Sequence, residues 1–142
     1  MTTTATAART PSTAIRWLGL LGWVAVTGLT LQLILRGGLT ADAAPVPLLL
    51  LIAFVAFIAP DLTFLAGAGQ PTRHGYLPTR AVPSYNAMHV IWGPLLLAAV
   101  AAVAARWEPV GSVLLVAALS WAAHVLLDRA AGYGLRRPDG GR

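Results

Sequence analysis

Two histidines and two aspartates in this sequence have side chains that could support metal chemistry: Asp61, His89, His124 and Asp128. Imidazole nitrogens and carboxylate oxygens together are ligands that suit Zn, Mn or Fe better than Ca. The chain has no cysteine, which excludes disulfides, thiolate-zinc sites and iron-sulfur clusters. Any chemistry must therefore use nitrogen and oxygen groups.

Helical spacing groups further polar residues with these four. Tyr85 and His89 are separated by four positions, and Asn86 and His89 by three, so all three side chains can lie on one helix face. His124 and Asp128 share a face of a later helix in the same way. The sequence predicts that these two polar faces meet.

The composition indicates that the elements carrying these residues lie in a membrane. Of 142 residues, 57% are hydrophobic and 11% are charged, whereas an average soluble domain has about 25% charged residues. Four long windows lack charge, and each is long enough to cross a bilayer or nearly so. They cover residues 17–35, 43–60, 83–105 and 109–127.

These windows predict an all-α integral membrane bundle of four transmembrane helices. We expect the second helix to end near Asp61 and the third to be kinked at Gly93-Pro94. A three-residue connection, Arg106 to Glu108, predicts a tight antiparallel hairpin of the third and fourth helices. We expect a disordered tail at residues 1–14, the membrane domain at 15–135 and a basic tail at 136–142.

The arginines predict the orientation of the bundle. All ten basic residues are arginine, and eight of them flank one side of the predicted spans against two on the other. By the positive-inside rule, both termini then lie in the cytoplasm, under a bacterial inner membrane. All four candidate ligands would reach the cytoplasmic leaflet. This orientation explains the arginines without a nucleic acid partner. They could also hold anionic lipid head groups. A homo-oligomer is a further possible partner arrangement.

Three ordered motifs resemble those of a known family. They are PDLT at residues 60–63, YNAMH at 85–89 and HVLLDRAAGYGL at 124–135. Together they resemble the bacterial membrane proteins of the domain of unknown function 4260 family. The resemblance implies a small multi-helix integral membrane protein and assigns no reaction. A looser similarity, by analogy only, is to bacterial membrane-bound metal-dependent hydrolases.

The leading hypothesis is a divalent-metal site that supports hydrolysis of a lipid-like or membrane-adjacent substrate. In it, Zn, Mn or Fe is held by Asp61, His89, His124 and Asp128. The remaining roles would be substrate orientation by Tyr85 or Asn86 and capture of an anionic head group by Arg129.

Two alternatives remain open at this stage. In a helix-packing network, Asp61 or Asp128 pairs with Arg129, while His124 bonds a serine or a carbonyl. In a proton or ion path, Asp61 and the histidines change protonation during transport. The third histidine, His74, is expected to be a solvated loop residue.

Overall fold

All regular secondary structure in the residues that the structure describes, which are 12–37, 44–107 and 109–142 of a computed structural model, is helical. The helices are α1 (Thr13–Gly37), α2 (Val46–Ile58), α3 (Val82–His89), α4 (Trp92–Ala104) and α5 (Val110–Ala131). A 3₁₀ segment, Ala59–Gly67, continues α2, and a short one, Thr79–Ala81, precedes α3. Most of the predicted disordered tail, residues 1–11, lies outside the described residues, and α1 begins at Thr13.

Helix α5 is the centre of the bundle and packs against α1, α2 and α4. The contact with α1 is close: a Cβ atom on Gly19 would lie 2.7 Å from the main-chain nitrogen of Ala130. A core of Ile34, Leu49 and Val116 joins α1, α2 and α5. Many large apolar side chains point outward, as expected of a bundle whose surface faces lipid.

Three helical stretches are long and apolar enough to cross a membrane: Thr13–Arg36, Val46–Gly67 and Val110–Ala131. Helices α3 and α4 form a fourth span if the pair, bent by 42°, crosses as one unit. The predicted all-helical fold is therefore confirmed, with three or four candidate membrane spans, and the count of four stays a prediction. The cytoplasmic position of the termini stays a prediction.

The break between α3 and α4 lies one turn earlier than the sequence predicted. We expected the kink at Gly93-Pro94, but the chain leaves helical geometry at Val90, where φ is −85° and ψ is 140°. Pro94 explains the offset, because a proline has no N–H for the carbonyl four residues before it and its ring clashes with that carbonyl. The affected carbonyl is that of Val90.

The second span also differs from its predicted end. It continues past Asp61 as the 3₁₀ segment to Gly67. Pro60 cannot donate an α-helical hydrogen bond, so the helix tightens instead of stopping. The Thr63 hydroxyl donates to the Pro60 carbonyl over 2.6 Å. Asp61 therefore lies within a helical element and is not at its end.

The segment after α5 returns to the loop before α3. Gly132, with φ at +86°, ends α5 in the left-handed conformation. Farther along, the Leu77 amide donates to the Gly140 carbonyl over 2.9 Å, and Arg136 Nη1 donates to the Gly75 carbonyl over 3.2 Å. The basic segment that the sequence marks at 136–142 is thus packed against residues 75–77.

Candidate metal centre

Three residues from three different elements meet at one point, and we call them the His/Asp cluster: Asp61, His89 and His124. Asp61 comes from the 3₁₀ segment, His89 ends α3 and His124 lies in α5. The two Nε2 atoms are 3.2 Å apart. Asp61 Oδ1 lies 3.9 Å from His89 Nε2 and 3.6 Å from His124 Nε2. The predicted meeting of the polar faces is confirmed.

These separations suit a shared metal ion. Tetrahedral zinc with metal-ligand bonds near 2.0 to 2.1 Å places neighbouring ligand atoms about 3.3 Å apart. One ligand atom from each of Asp61, His89 and His124 lies within 4.8 Å of the others. Only small side-chain adjustments would bring all three into bonding distance of one ion.

The His89 ring is fixed in the orientation that a metal ligand needs. Its Nδ1 lies 2.8 Å from the Tyr85 carbonyl, and its ring stacks on the Tyr85 ring with centroids 3.8 Å apart. Because a carbonyl only accepts hydrogen bonds, Nδ1 carries the proton, and a neutral ring then has its lone pair on Nε2. That atom faces His124 and Asp61. A histidine ligand held by a carbonyl at its other nitrogen is the usual arrangement around protein metals.

Asp128 lies beside the His/Asp cluster but is not one of its three members. Its Oδ2 is 3.4 Å from His89 Nε2. The Tyr85 hydroxyl donates to the same oxygen over 3.4 Å. The structure therefore brings three of the four predicted ligands into one group and puts the fourth next to His89.

The two histidines of the His/Asp cluster are buried in the bundle, and Asp61 is its exposed member. The His89 side chain has 0% of its surface exposed and that of His124 has 6%, against 20% for Asp128 and 48% for Asp61. The Phe57 ring packs edge-on to the His124 ring, with centroids 5.3 Å apart. A ligand from outside would reach the cluster past Asp61.

The family model for DUF4260, a domain of unknown function, matches residues 30–142. The chain belongs to the DUF4260 family. The match confirms the resemblance that the three motifs indicated, and it covers all members of the His/Asp cluster. No curated protein and no solved structure matches this DUF4260 protein.

Arg129 has a different environment from the one expected. Its Nη2 donates to the His89 carbonyl over 2.6 Å and its Nη1 to the Tyr133 carbonyl over 3.0 Å. Among the described residues it forms no ion pair with Asp61 or Asp128, so the pairing considered for the helix-packing alternative is wrong. In this DUF4260 protein, Arg129 satisfies a carbonyl exposed by the break after α3.

Asn86 is also bonded to the main chain. Its Nδ2 donates to the Arg136 carbonyl and its Oδ1 accepts from the Arg136 amide, both over 2.8 Å. The side chain thereby fastens the C-terminal segment to α3. Both polar atoms of the Asn86 amide therefore already have main-chain partners. The predicted role of Asn86 in orienting substrate stays a prediction.

Trp121 is a supporting residue that the sequence reasoning missed. Its Nε1 donates to the Met88 carbonyl over 2.7 Å, next to the carbonyl that Arg129 binds. The ring reaches α4 because Gly93 has no side chain: a Cβ there would lie 2.5 Å from Trp121 Cη2. The available signal was a glycine beside a helix-breaking proline, opposite a tryptophan three residues before His124.

His74 is exposed in its loop, as predicted.

Proposed function

We propose that this DUF4260 protein is a membrane-embedded metalloprotein that binds one divalent ion, Zn, Mn or Fe, and hydrolyses a lipid-like or membrane-adjacent substrate. Asp61, His89 and His124 would hold the ion. The observation that carries the proposal is the approach of their three ligand atoms to within 4.8 Å of one another.

The charges around His89 support an ion at this position. The Nε2 atom of His89 faces oxygens of both Asp61 and Asp128. With the ring proton on Nδ1, that nitrogen and both carboxylates are acceptors. Acceptors that converge at membrane depth are costly unless a cation or a hydrogen-bond donor lies between them. A divalent ion supplies that charge.

Hydrolysis is the chemistry that suits a site of this kind. Three protein ligands leave a coordination position open for water or substrate. A divalent ion lowers the pKa of a water molecule in that position toward neutrality. Asp128, outside the ligand set, would be placed to accept a proton beside such an ion, and the Tyr85 hydroxyl donates a hydrogen bond to its carboxylate.

We also propose that the cluster faces the cytoplasmic leaflet of a bacterial inner membrane. The support is the distribution of arginines. Arg73 and Arg80 lie between the second and third predicted spans, and three more arginines follow α5: Arg136, Arg137 and Arg142. Anionic head groups on that side are the expected partners of these arginines.

A metal-free hydrogen-bond network is the second candidate. The 3.2 Å between His89 Nε2 and His124 Nε2 also fits one N–H donated from His124 to the bare nitrogen of His89. In that case the cluster would hold α3 and α5 together and bind no ion.

Metal analysis separates the two candidates. The protein would be purified in detergent without chelators and without a polyhistidine tag, and its metal content measured by inductively coupled plasma mass spectrometry. We expect a stoichiometric divalent metal that is lost in His124→Asn and in Asp61→Asn. His74→Asn is the matched control, because His74 is exposed in a loop, and it should keep the metal. Metal-free wild-type protein that also fails to take up added Zn, Mn or Fe would refute the proposal.

The reaction needs a separate test. The assay is hydrolysis of lipid esters or phosphoesters in proteoliposomes, with the products measured by mass spectrometry. We expect the Asp128→Asn variant to keep the metal and to lose this hydrolysis. Equal hydrolysis by the wild type and Asp128→Asn would contradict the role of Asp128. If the metal-loaded wild type hydrolyses none of these substrates, the proposed metal site stands and the proposed hydrolysis of lipid esters and phosphoesters is refuted.

A further inference from the structure

An apolar groove lies next to the His/Asp cluster, separated from it by the Phe57 ring, and extends along the bundle toward the start of α2. It has a volume of about 230 Å³ and lies among α1, α2 and α5. Residues of α2 on its wall are Leu50, Ala53 and Phe57. They are spaced by three and four positions, so they share one face of α2, and Phe57 lies at the end of that face nearest Asp61.

Helix α5 leads to the same place. Ser120 and Ala123 line the groove, and His124 follows directly. Phe57 joins the two sites, because its ring lines the groove and also packs against the His124 ring. The Phe57 ring therefore forms a common wall of the groove and the cluster.

The opening of the groove faces the lipid. Leu31 on α1 and Leu50 on α2 form part of its wall, and both are exposed side chains on candidate membrane spans. From Leu50 to Phe57 the helix rises about 10 Å, so the groove extends well into the hydrocarbon. Water is absent at that depth, and an empty groove would forfeit dispersion contacts, so a hydrocarbon chain is the occupant that its chemistry fits.

We propose that this groove binds one acyl chain of a membrane phospholipid and thereby places the lipid's ester or phosphoester group at the His/Asp cluster. The inference rests on the proposed function, since it names the substrate class of that site. A chain in bulk lipid is as apolar as the groove, so the hydrophobic effect alone does not favour binding. Selectivity must come from the head group at the cluster, with the groove fixing its position.

The test uses proteoliposomes containing a phospholipid with a photoreactive diazirine in its acyl chain. After irradiation, peptide mass spectrometry measures adducts at Phe57 and Ala123, normalised to adducts at Leu21, which is exposed to bulk lipid on α1. Ala53→Phe fills the groove. Ala25→Phe is the matched control, because Ala25 is exposed on α1 and outside the groove.

We expect Ala53→Phe to lower the normalised groove adducts by about tenfold, equivalent to about 1.4 kcal/mol of binding free energy. Ala25→Phe should leave them unchanged. Adducts that do not fall in Ala53→Phe would overturn the inference. If Ala53→Phe disturbs the fold, seen as a lower Tm in detergent than that of wild type, Leu50→Trp at the exposed rim replaces it and the same two outcomes decide.

Metal content is measured on the same samples, which keeps the two proposals distinguishable. A wild-type protein with groove adducts sensitive to Ala53→Phe but without metal refutes the proposed function, while the lipid site stands. A metal-loaded protein whose groove adducts are insensitive refutes the lipid site alone.

Discussion

Replacing Arg129 by leucine tests how the broken helix keeps His89 in place. Arg129 donates 2.6 Å and 3.0 Å hydrogen bonds to the carbonyls of His89 and Tyr133. The first carbonyl belongs to the last residue of α3, where the break removes its normal helical partner. Arg129→Leu keeps most of the aliphatic stem and removes both bonds.

The expected loss follows from the two bonds. A hydrogen bond involving a charged group contributes about 1.5 to 3 kcal/mol, and we take about 2 for the part-buried bond and about 1 for the exposed one. The sum of about 3 kcal/mol corresponds to a fall in Tm of about 6 to 12 °C for a chain of this size. Metal affinity should fall as well, because His89 loses one of its supports.

The assay is thermal unfolding in detergent, followed by tryptophan fluorescence, together with zinc affinity from competition with a chromophoric chelator. Arg137→Leu is the control, because Arg137 is an exposed arginine of the same C-terminal region whose main-chain amide bonds Gly141 independently of the side chain. If Arg129→Leu lowers Tm no more than Arg137→Leu does, the bracing role of Arg129 is wrong.

Two further substitutions test the frame around the cluster. Asn86→Ala removes both bonds to the main chain of Arg136 and should cost about 2 kcal/mol of unfolding free energy, with faster hydrogen exchange in residues 136–141. Unchanged exchange there would contradict the fastening role. Gly93→Ala should destabilise by about 1 to 3 kcal/mol because its Cβ meets the Trp121 ring, whereas Gly28→Ala, where the Cβ meets nothing within 4 Å, should be neutral or stabilising. Equal Tm values for these two variants would argue against close packing at Gly93.

The cluster was accessible to sequence reasoning because the cost of polar groups in lipid restricts where they lie. Asp61, His89 and His124 occur in three separate apolar stretches, and helical connectivity returns all three to one end of the bundle. Spacing alone did not separate ligands from supporting residues. Asp128 shares a face with His124, yet its oxygen lies beside His89 and outside the group of three.

The departures from the sequence prediction have local physical reasons. Proline acts on the carbonyl four residues earlier, so the break falls at Val90 and not at Gly93-Pro94. The α2 span continues past Asp61 because a 3₁₀ turn tolerates Pro60.

Long-range main-chain contacts had no local signal. Asn86 binds a segment fifty positions away, and Arg129 binds a carbonyl forty positions before it. From sequence alone, a polar side chain near a predicted site is interpreted as a substrate contact. Only the structure shows that a distant part of the main chain lies within hydrogen-bonding distance of it. The roles of Asn86 and Arg129 in the frame therefore required the structure.

The most direct test of the metal centre is X-ray absorption spectroscopy of the protein loaded with zinc. We predict a zinc environment of nitrogen and oxygen ligands at about 2.0 to 2.2 Å, with outer-shell scattering from two imidazoles. His124→Asn should reduce that scattering to one imidazole or abolish zinc binding, and His74→Asn should leave it unchanged. A spectrum without imidazole scattering, or one that His124→Asn does not alter, would contradict the proposal that Asp61, His89 and His124 form a metal site.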